Sequence, residues 1–222
     1  MKHTPMIPRL AGFTLVEMAI VLVIVGVLLG GLLPTISSQI EQQRRNETRK
    51  HLDEIKDALI GYAIVNKSLP CPAKANIATG SANAGVADCS VTTGGILPWA
   101  TLGISETDAW GRRFTYSVTA AFTSPFTLTS NGTFSIKSVT GGTNVASAIP
   151  VVIVSHGTNG FGAYTPQGTQ LAVSSDADEA DNSTSDTTFV SHDFVQNGFD
   201  DLVIWISPNT LFNRMVAAGQ LP

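Results

Sequence analysis

From Phe13 to Leu33 the chain is apolar at nearly every position, with only Thr14, Glu17 and glycines interrupting. A helix facing a protein core on one side would carry polar residues on the other. This run of about 21 residues makes roughly 31 Å of helix, which matches the hydrocarbon thickness of a bilayer. After Pro34 the pattern becomes periodic. Ile36 and Ile40, then Leu52, Ile55, Leu59 and Tyr62 or Ala63, recur at spacings of three and four and predict one apolar stripe on a helix. Between them Glu41 to His51 is polar all round, with Glu41–Arg45 and Glu47–Lys50 spaced to interact. Such a segment either bridges layers through solvent or lies between charged neighbours. A continuous helix from Phe13 to Asn66 would be roughly 80 Å long, with a bend or loosening expected at Pro34 after Gly30 and Gly31. Gly26-x-x-x-Gly30 is a helix-packing pattern of low specificity. Leu69-Pro70-Cys71-Pro72 predicts the helix end.

The remainder reads as strand and turn. Phe114, Tyr116 and Val118 alternate as a half-buried strand should, and further strands are expected at 126–129, 133–139, 149–155 and 202–206. Ile149 to Val154 reads as the most buried of these. Connections this short and turn-rich leave no room for crossover helices, so the sheet is expected to be antiparallel.

Composition narrows the function classes. The chain has 222 residues and a net charge of −4, which argues against a nucleic-acid partner held by bulk electrostatics. The two cysteines, Cys71 and Cys89, read as one disulfide if the chain is exported, closing a small-residue loop over 73–98. Two free thiols or a metal pair are the other readings, but no His or Cys lies nearby as a co-ligand.

Compartment therefore rests on the N-terminus. The basic residues Lys2 and Arg9 precede the apolar run, and Thr35-Ile36-Ser37 offers a passable signal-peptidase site. Against a plain secretory signal stand the length of the run and Glu17, a carboxylate inside it that costs about 2.5–3.5 kcal/mol at a bilayer centre. Gly12-Phe13-Thr14-Leu15-Val16-Glu17 resembles the processing site of type IV prepilins and type II secretion pseudopilins. The resemblance implies cleavage by a prepilin peptidase after Gly12, N-methylation of Phe13, and an assembly role for Glu17, which would neutralise the Phe13 ammonium of a neighbouring subunit. It also matches Pro34 to the helix-loosening proline of many pilins. Arg44, Arg45, Arg49 and Lys50 outnumber the basic residues before the run, which conflicts with the positive-inside rule; the processing motif decides the orientation.

Asp108-Ala109-Trp110-Gly111-Arg112-Arg113-Phe114-Thr115-Tyr116 is similar to the D-P-W-G-x-P-Y-x-Y segment of major pseudopilins, with Ala109 and Arg113 in place of the prolines. Those proteins carry calcium in the loop before the last strand. Here an acidic tract, Asp176, Asp178, Glu179, Asp181 and Asp186, precedes Asp200 and Asp201. It reads either as a solvated acidic loop or as a site for calcium, which takes six to eight oxygens. Ser155 to Gly162 is glycine-rich but has no helix start behind it to cradle a phosphate, and no nucleophile-elbow motif surrounds Ser155 or Ser191 beside His156 and His192.

The expected architecture is α+β and pilin-like: a leader peptide (1–12), a transmembrane and assembly helix (13–34), its periplasmic half (35–66), and a β-rich head (67–222) on an antiparallel sheet. The expected function is that of a structural filament subunit, not an enzyme, anchored once in a bacterial inner membrane with its head in the periplasm. Its partners would be the prepilin peptidase, copies of itself or related pilins, and inner-membrane assembly machinery, with no cofactor beyond a structural calcium. The alternative is a membrane-anchored periplasmic ligand-binding protein.

Overall fold

One helix, α1 (Leu15–Asn66), carries both patterns seen at the start of the chain. The computed structural model describes residues 12–91, 95–184, 186–195 and 198–222, with the side chains of 29–36 excepted. The expected leader therefore lies, apart from Gly12, outside the described residues, and so does the Pro34 side chain on which the expected bend depends. The chain divides into two units, one ending at Gln43 and the other spanning Arg44–Pro222.

In the first unit Phe13 and the described apolar side chains of α1 from Leu15 to Leu28 are exposed, and Ile40 is exposed as well. In the second, α1 buries a single stripe, Leu52, Ile55, Leu59 and Ala63, as its periodicity predicts. The helix stops at Lys67, which adopts a left-handed φ of 59° while its N–H bonds the Ala63 carbonyl at 2.8 Å. Pro70 and Pro72 then prevent helix from resuming. Cys71 and Cys89 are disulfide-bonded, with Cα atoms 5.0 Å apart and a sequence separation of 18. A loop of that size contributes about 3 kcal/mol on the chain-entropy account.

A short helix, α2 (Trp99–Leu102), leads into six strands among the described residues: β1 (Thr115–Val118), β2 (Phe134–Lys137), β3 (Asn144–Ile149), β4 (Val151–Ser155), β5 (Thr188–Val190) and β6 (Leu202–Ile206). Helix α3 (Ala177–Ser183) precedes β5, and α4 (Pro208–Ala217) closes the chain. The strands form two three-stranded sheets, ordered β1-β4-β6 and β3-β2-β5. The first is antiparallel, with Tyr116 opposite Ile153 and Ile153 opposite Ile204. Alternation along it serves two cores. Tyr116, Val151, Ile153 and Ile206 pack with Leu52, Ile55 and Leu59 of α1 and with Leu211 and Met215 of α4. Val152 and Val154 face Phe134, Ile136 and Phe189 of the second sheet. With both faces covered, β4 is buried at every residue, as Ile149 to Val154 was expected to be.

The strand expectations need three corrections. Residues 126–129 form no strand: Phe126 is buried beside Phe122, ring centroids 4.9 Å apart, and Ser130 N–H bonds the Thr127 carbonyl in a turn. The run 149–155 is split at Pro150, which has no N–H for a ladder, so the chain passes there from one sheet to the other. The second sheet is mixed, because β5 pairs in parallel with β2 after a long connection containing α3. The architecture is α+β and pilin-like.

The turn before β1 is built by Asp108, whose Oδ1 accepts from the N–H groups of Trp110 and Arg112, both at 3.0 Å, with Gly111 at a φ of 79°. Next to it Arg113 is almost fully buried. Its guanidinium donates to Glu106 Oε1 (2.8 Å), to the carbonyls of Ala75 (3.0 Å), Ile77 (2.9 Å) and Pro166 (3.0 Å), and to Thr79 Oγ1 (3.1 Å). Its charge also lies 4.6 Å above the Trp99 ring. One side chain thus joins the disulfide loop to two loops distant in sequence.

Candidate functional site

Gly12, Phe13 and Thr14 precede α1 without helical structure. Thr14 Oγ1 accepts from the Glu17 N–H at 3.2 Å, and Glu17 Oε2 accepts from the Thr14 N–H at 2.8 Å and the Thr14 hydroxyl at 2.9 Å. These are the reciprocal bonds of a capping box: two N–H groups that a helix start leaves unpaired are satisfied by two side chains. A carboxylate there also suits the positive end of the helix dipole. Glu17 is thus held at the helix start, beside the bond expected to be cut. Thr14 was not singled out from sequence, although a Thr three residues before a Glu, at the head of an apolar run, was a readable signal.

The acidic tract does not gather as one group. Asp176 caps α3 by accepting from the N–H groups of Asp178 and Glu179. Asp178 accepts from the Thr140 N–H at 2.6 Å and contacts His192 Nε2 at 3.1 Å, while Asp181 accepts from the Thr140 hydroxyl at 3.0 Å. Asp186 accepts from the Thr188 N–H at 2.8 Å. These four carboxylates are occupied in holding turns and strand ends.

Glu179, Asp200 and Asp201 are different. All three are buried, and ligand oxygens from each lie within 4.8 Å of one another. Glu179 Oε1 accepts from Asn159 Nδ2 at 2.7 Å and the Asp200 N–H at 3.1 Å. Asp200 Oδ2 accepts from the Asn159 N–H and Asp201 Oδ2 from Asn182 Nδ2, both at 2.9 Å. The other oxygen of each aspartate, Oδ1, is buried without a protein partner. Gly157, at a φ of 52°, makes room: a Cβ there would run into Asp200. Burial pushes the Asp200 carboxyl up to about 6, and burial with the neighbouring acids pushes Asp201 well above the usual range. Burial also lowers the His156 imidazole to about 4, so it is neutral near pH 7 and its 3.8 Å approach to Asp201 is not an ion pair. The cluster is an excess of buried negative charge that either a proton or a hard cation must offset. Three buried carboxylates this close, two of which keep an oxygen without a protein partner, fit an oxygen-preferring divalent ion such as calcium.

The serine–histidine neighbours form no nucleophilic pair. Ser155 Oγ donates to Asp108 Oδ2 at 2.7 Å, and His156 Nε2 contacts Thr115 Oγ1 at 2.8 Å. His192 is engaged by Asp178 and lies on the Phe199 ring, centroids 3.9 Å apart.

Residues 8–33 match the family model of the prokaryotic N-terminal methylation motif. The chain carries the signature of the type IV pilin and pseudopilin family. That motif is the signature by which prepilin peptidase processes pilin-type proteins of the cell envelope. No curated protein and no solved structure matches the chain. Among the described residues no helix is long and apolar enough to cross a membrane; the apolar run continues into 29–36, whose side chains lie outside them.

Proposed function

We propose that this pilin-type chain is a structural subunit of a pilus-like or pseudopilus filament. It is cut after Gly12, N-methylated at Phe13, held in the inner membrane by the apolar half of α1, and assembled with copies of itself or related pilins by inner-membrane machinery. The observation that carries this reading is the match of residues 8–33 to the methylation motif, with Glu17 fixed at the head of an exposed apolar helix. In lipid a lone carboxylate is costly, and the new Phe13 ammonium of a neighbouring subunit is a partner for it. Mass spectrometry of the mature chain is expected to find N-methylated Phe13 at its start, and Glu17→Ala to insert normally while filament yield falls. A mature N-terminus at Ser38 would instead mark a conventional signal peptide.

In the same reading Glu179, Asp200 and Asp201 hold a structural calcium ion that neutralises the buried acids and locks α3 to the start of β6. Support for this comes from the unpartnered Oδ1 atoms of Asp200 and Asp201. Asp176, Asp178 and Asp181, expected from sequence as further ligands, are taken up by other contacts.

A further inference from the structure

An open sheet edge is a template for another strand, and folded proteins blunt or occupy such edges. Among the described residues the two sheets have four edges: β1 and β6 in one, β3 and β5 in the other. Three are dealt with inside the chain. On β1 the Tyr116 N–H donates to the Gly95 carbonyl at 3.2 Å, and the Phe114 carbonyl just before the strand accepts from the Leu97 N–H at 3.0 Å. On β5 the Asn182 side chain closes the edge: its Oδ1 accepts from the Val190 N–H at 2.8 Å and its Nδ2 donates to the Val190 carbonyl at 3.0 Å. β3 shifts register against β2 and turns Ala148 to a φ of 56°, irregularities that spoil an edge for pairing.

The edge of β6 has no such cover. Because Tyr116 points its N–H away from β4, the alternate residues Thr115 and Ser117 face Val154 and Val152, and Ile153 in turn faces Ile204 of β6. The N–H and C=O groups of Val203 and Trp205 are therefore directed outward, and among the described residues they make no hydrogen bond. Leu202 to Ile206 holds no charge and no proline, and only Ile206 of the five is buried. The edge forms one wall of an open groove of about 400 Å³, completed by Lys56 of α1 and by Ser207 and Thr210 at the start of α4. Lys56 makes no ion pair or side-chain hydrogen bond among the described residues. The start of α4 adds positive potential to the same groove.

We propose that the edge of β6 is a docking surface for an extended acidic segment of a partner protein, which adds as a strand along Val203 and Trp205 and sets a carboxylate against Lys56. Main-chain pairing supplies the affinity in such an addition, and the flanking side chains supply the selection. A second copy pairing through its own β6 would bring another Lys56 towards the first, so charge favours a different chain with an acid at that place. The surface belongs to the head and is independent of the filament reading.

The test is amide hydrogen exchange on the full disulfide-bonded chain in lipid nanodiscs. The probe is an acetylated peptide of alternating valine and threonine with one central glutamate, N-methylated along one edge so that it cannot pair with itself. In the free chain Val203 and Trp205 should exchange faster than Leu202, Ile204 and Ile206, whose amides face β4. Saturating peptide is expected to slow Val203 and Trp205 about tenfold, and the same peptide N-methylated along both edges to do nothing. Lysine in place of the glutamate should weaken binding about fivefold, and Lys56→Glu should reverse that preference while the exchange of Ile204 stays unchanged. No slowing at Val203 and Trp205, or slowing that the doubly methylated peptide reproduces, overturns the strand addition. Equal binding of the glutamate and lysine peptides overturns the acidic partner. Slowing in the chain alone that grows with its concentration gives the edge to a second copy and overturns the proposal.

Discussion

The first half of α1 and the cluster around Asp200 depart from the ordinary distribution of residues in opposite senses. At Leu15, 87 % exposed, and Leu22, 67 % exposed, apolar surface is left outside. At Glu179, Asp200 and Asp201, acidic groups are left inside. Large apolar side chains are normally covered and acids normally solvated unless paired. On the filament reading proposed above, each region is completed by something other than this chain: an apolar surround for the helix, a proton or a cation for the acids. Incompleteness of both kinds suits a subunit whose stable state is an assembly in a particular compartment.

The largest effect that separates covered from uncovered surface lies within α1. Leu59→Ala removes a fully buried side chain and is expected to lower the stability of the head by about 2–5 kcal/mol in chemical denaturation. Leu22→Ala, in the exposed run, should leave head unfolding unchanged. Equal effects from the two substitutions would erase the contrast between the halves of the helix.

Next in size is the response to calcium. An ion that binds only the folded head stabilises it by about 2.7 kcal/mol at a hundredfold excess over Kd, so melting should rise between chelator and calcium. Magnesium should substitute poorly because it prefers a smaller octahedral shell. Asp201→Asn should lose the response, and identical wild-type melting in both buffers would show that protons alone settle the cluster.

The smallest expected effect is a pH dependence in chelator. Asp200 has a folded pKa of about 6, raised above the roughly 3.9 of an unfolded aspartate. The folded chain therefore binds the extra proton between about pH 4 and 6. The stability this adds is fully present below the unfolded value and is lost as pH rises through the folded one. Asp200→Asn, neutral throughout, should gain on wild type across that window. A difference that stays flat with pH would mean that Asp200 titrates normally.

Much of this was legible in the sequence where the determining contacts are local. The apolar run, the stripe Leu52-Ile55-Leu59-Ala63 and the helix end before Pro70 each depend on residues within a few positions of one another. Burial of Ile149 to Val154 was readable from composition alone, but the break at Pro150 was not foreseen, because only a second sheet gives the chain somewhere to go. The parallel pairing of β5 escaped for the same reason: α3 sits in a polar stretch whose helix is nucleated by the Asp176 cap rather than by periodicity. At the candidate metal site the sequence supplied the right pool of acids. Which of them converge depends on Asn159, Asn182 and Thr140, residues that carry no signal until the loops are in place.

Arg113 stands where the resembling pseudopilin segment has a proline, and its bonding has a consequence for how the surrounding loops can diverge. Three of its five partners are main-chain carbonyls, of Ala75, Ile77 and Pro166, which any residue type supplies. Substitutions that keep the backbone path leave those bonds in place whatever side chains they bring to the surface. One invariant cation at the centre would thus let the loops around it drift in sequence, so that relatives of this head could share its frame while presenting quite different exteriors.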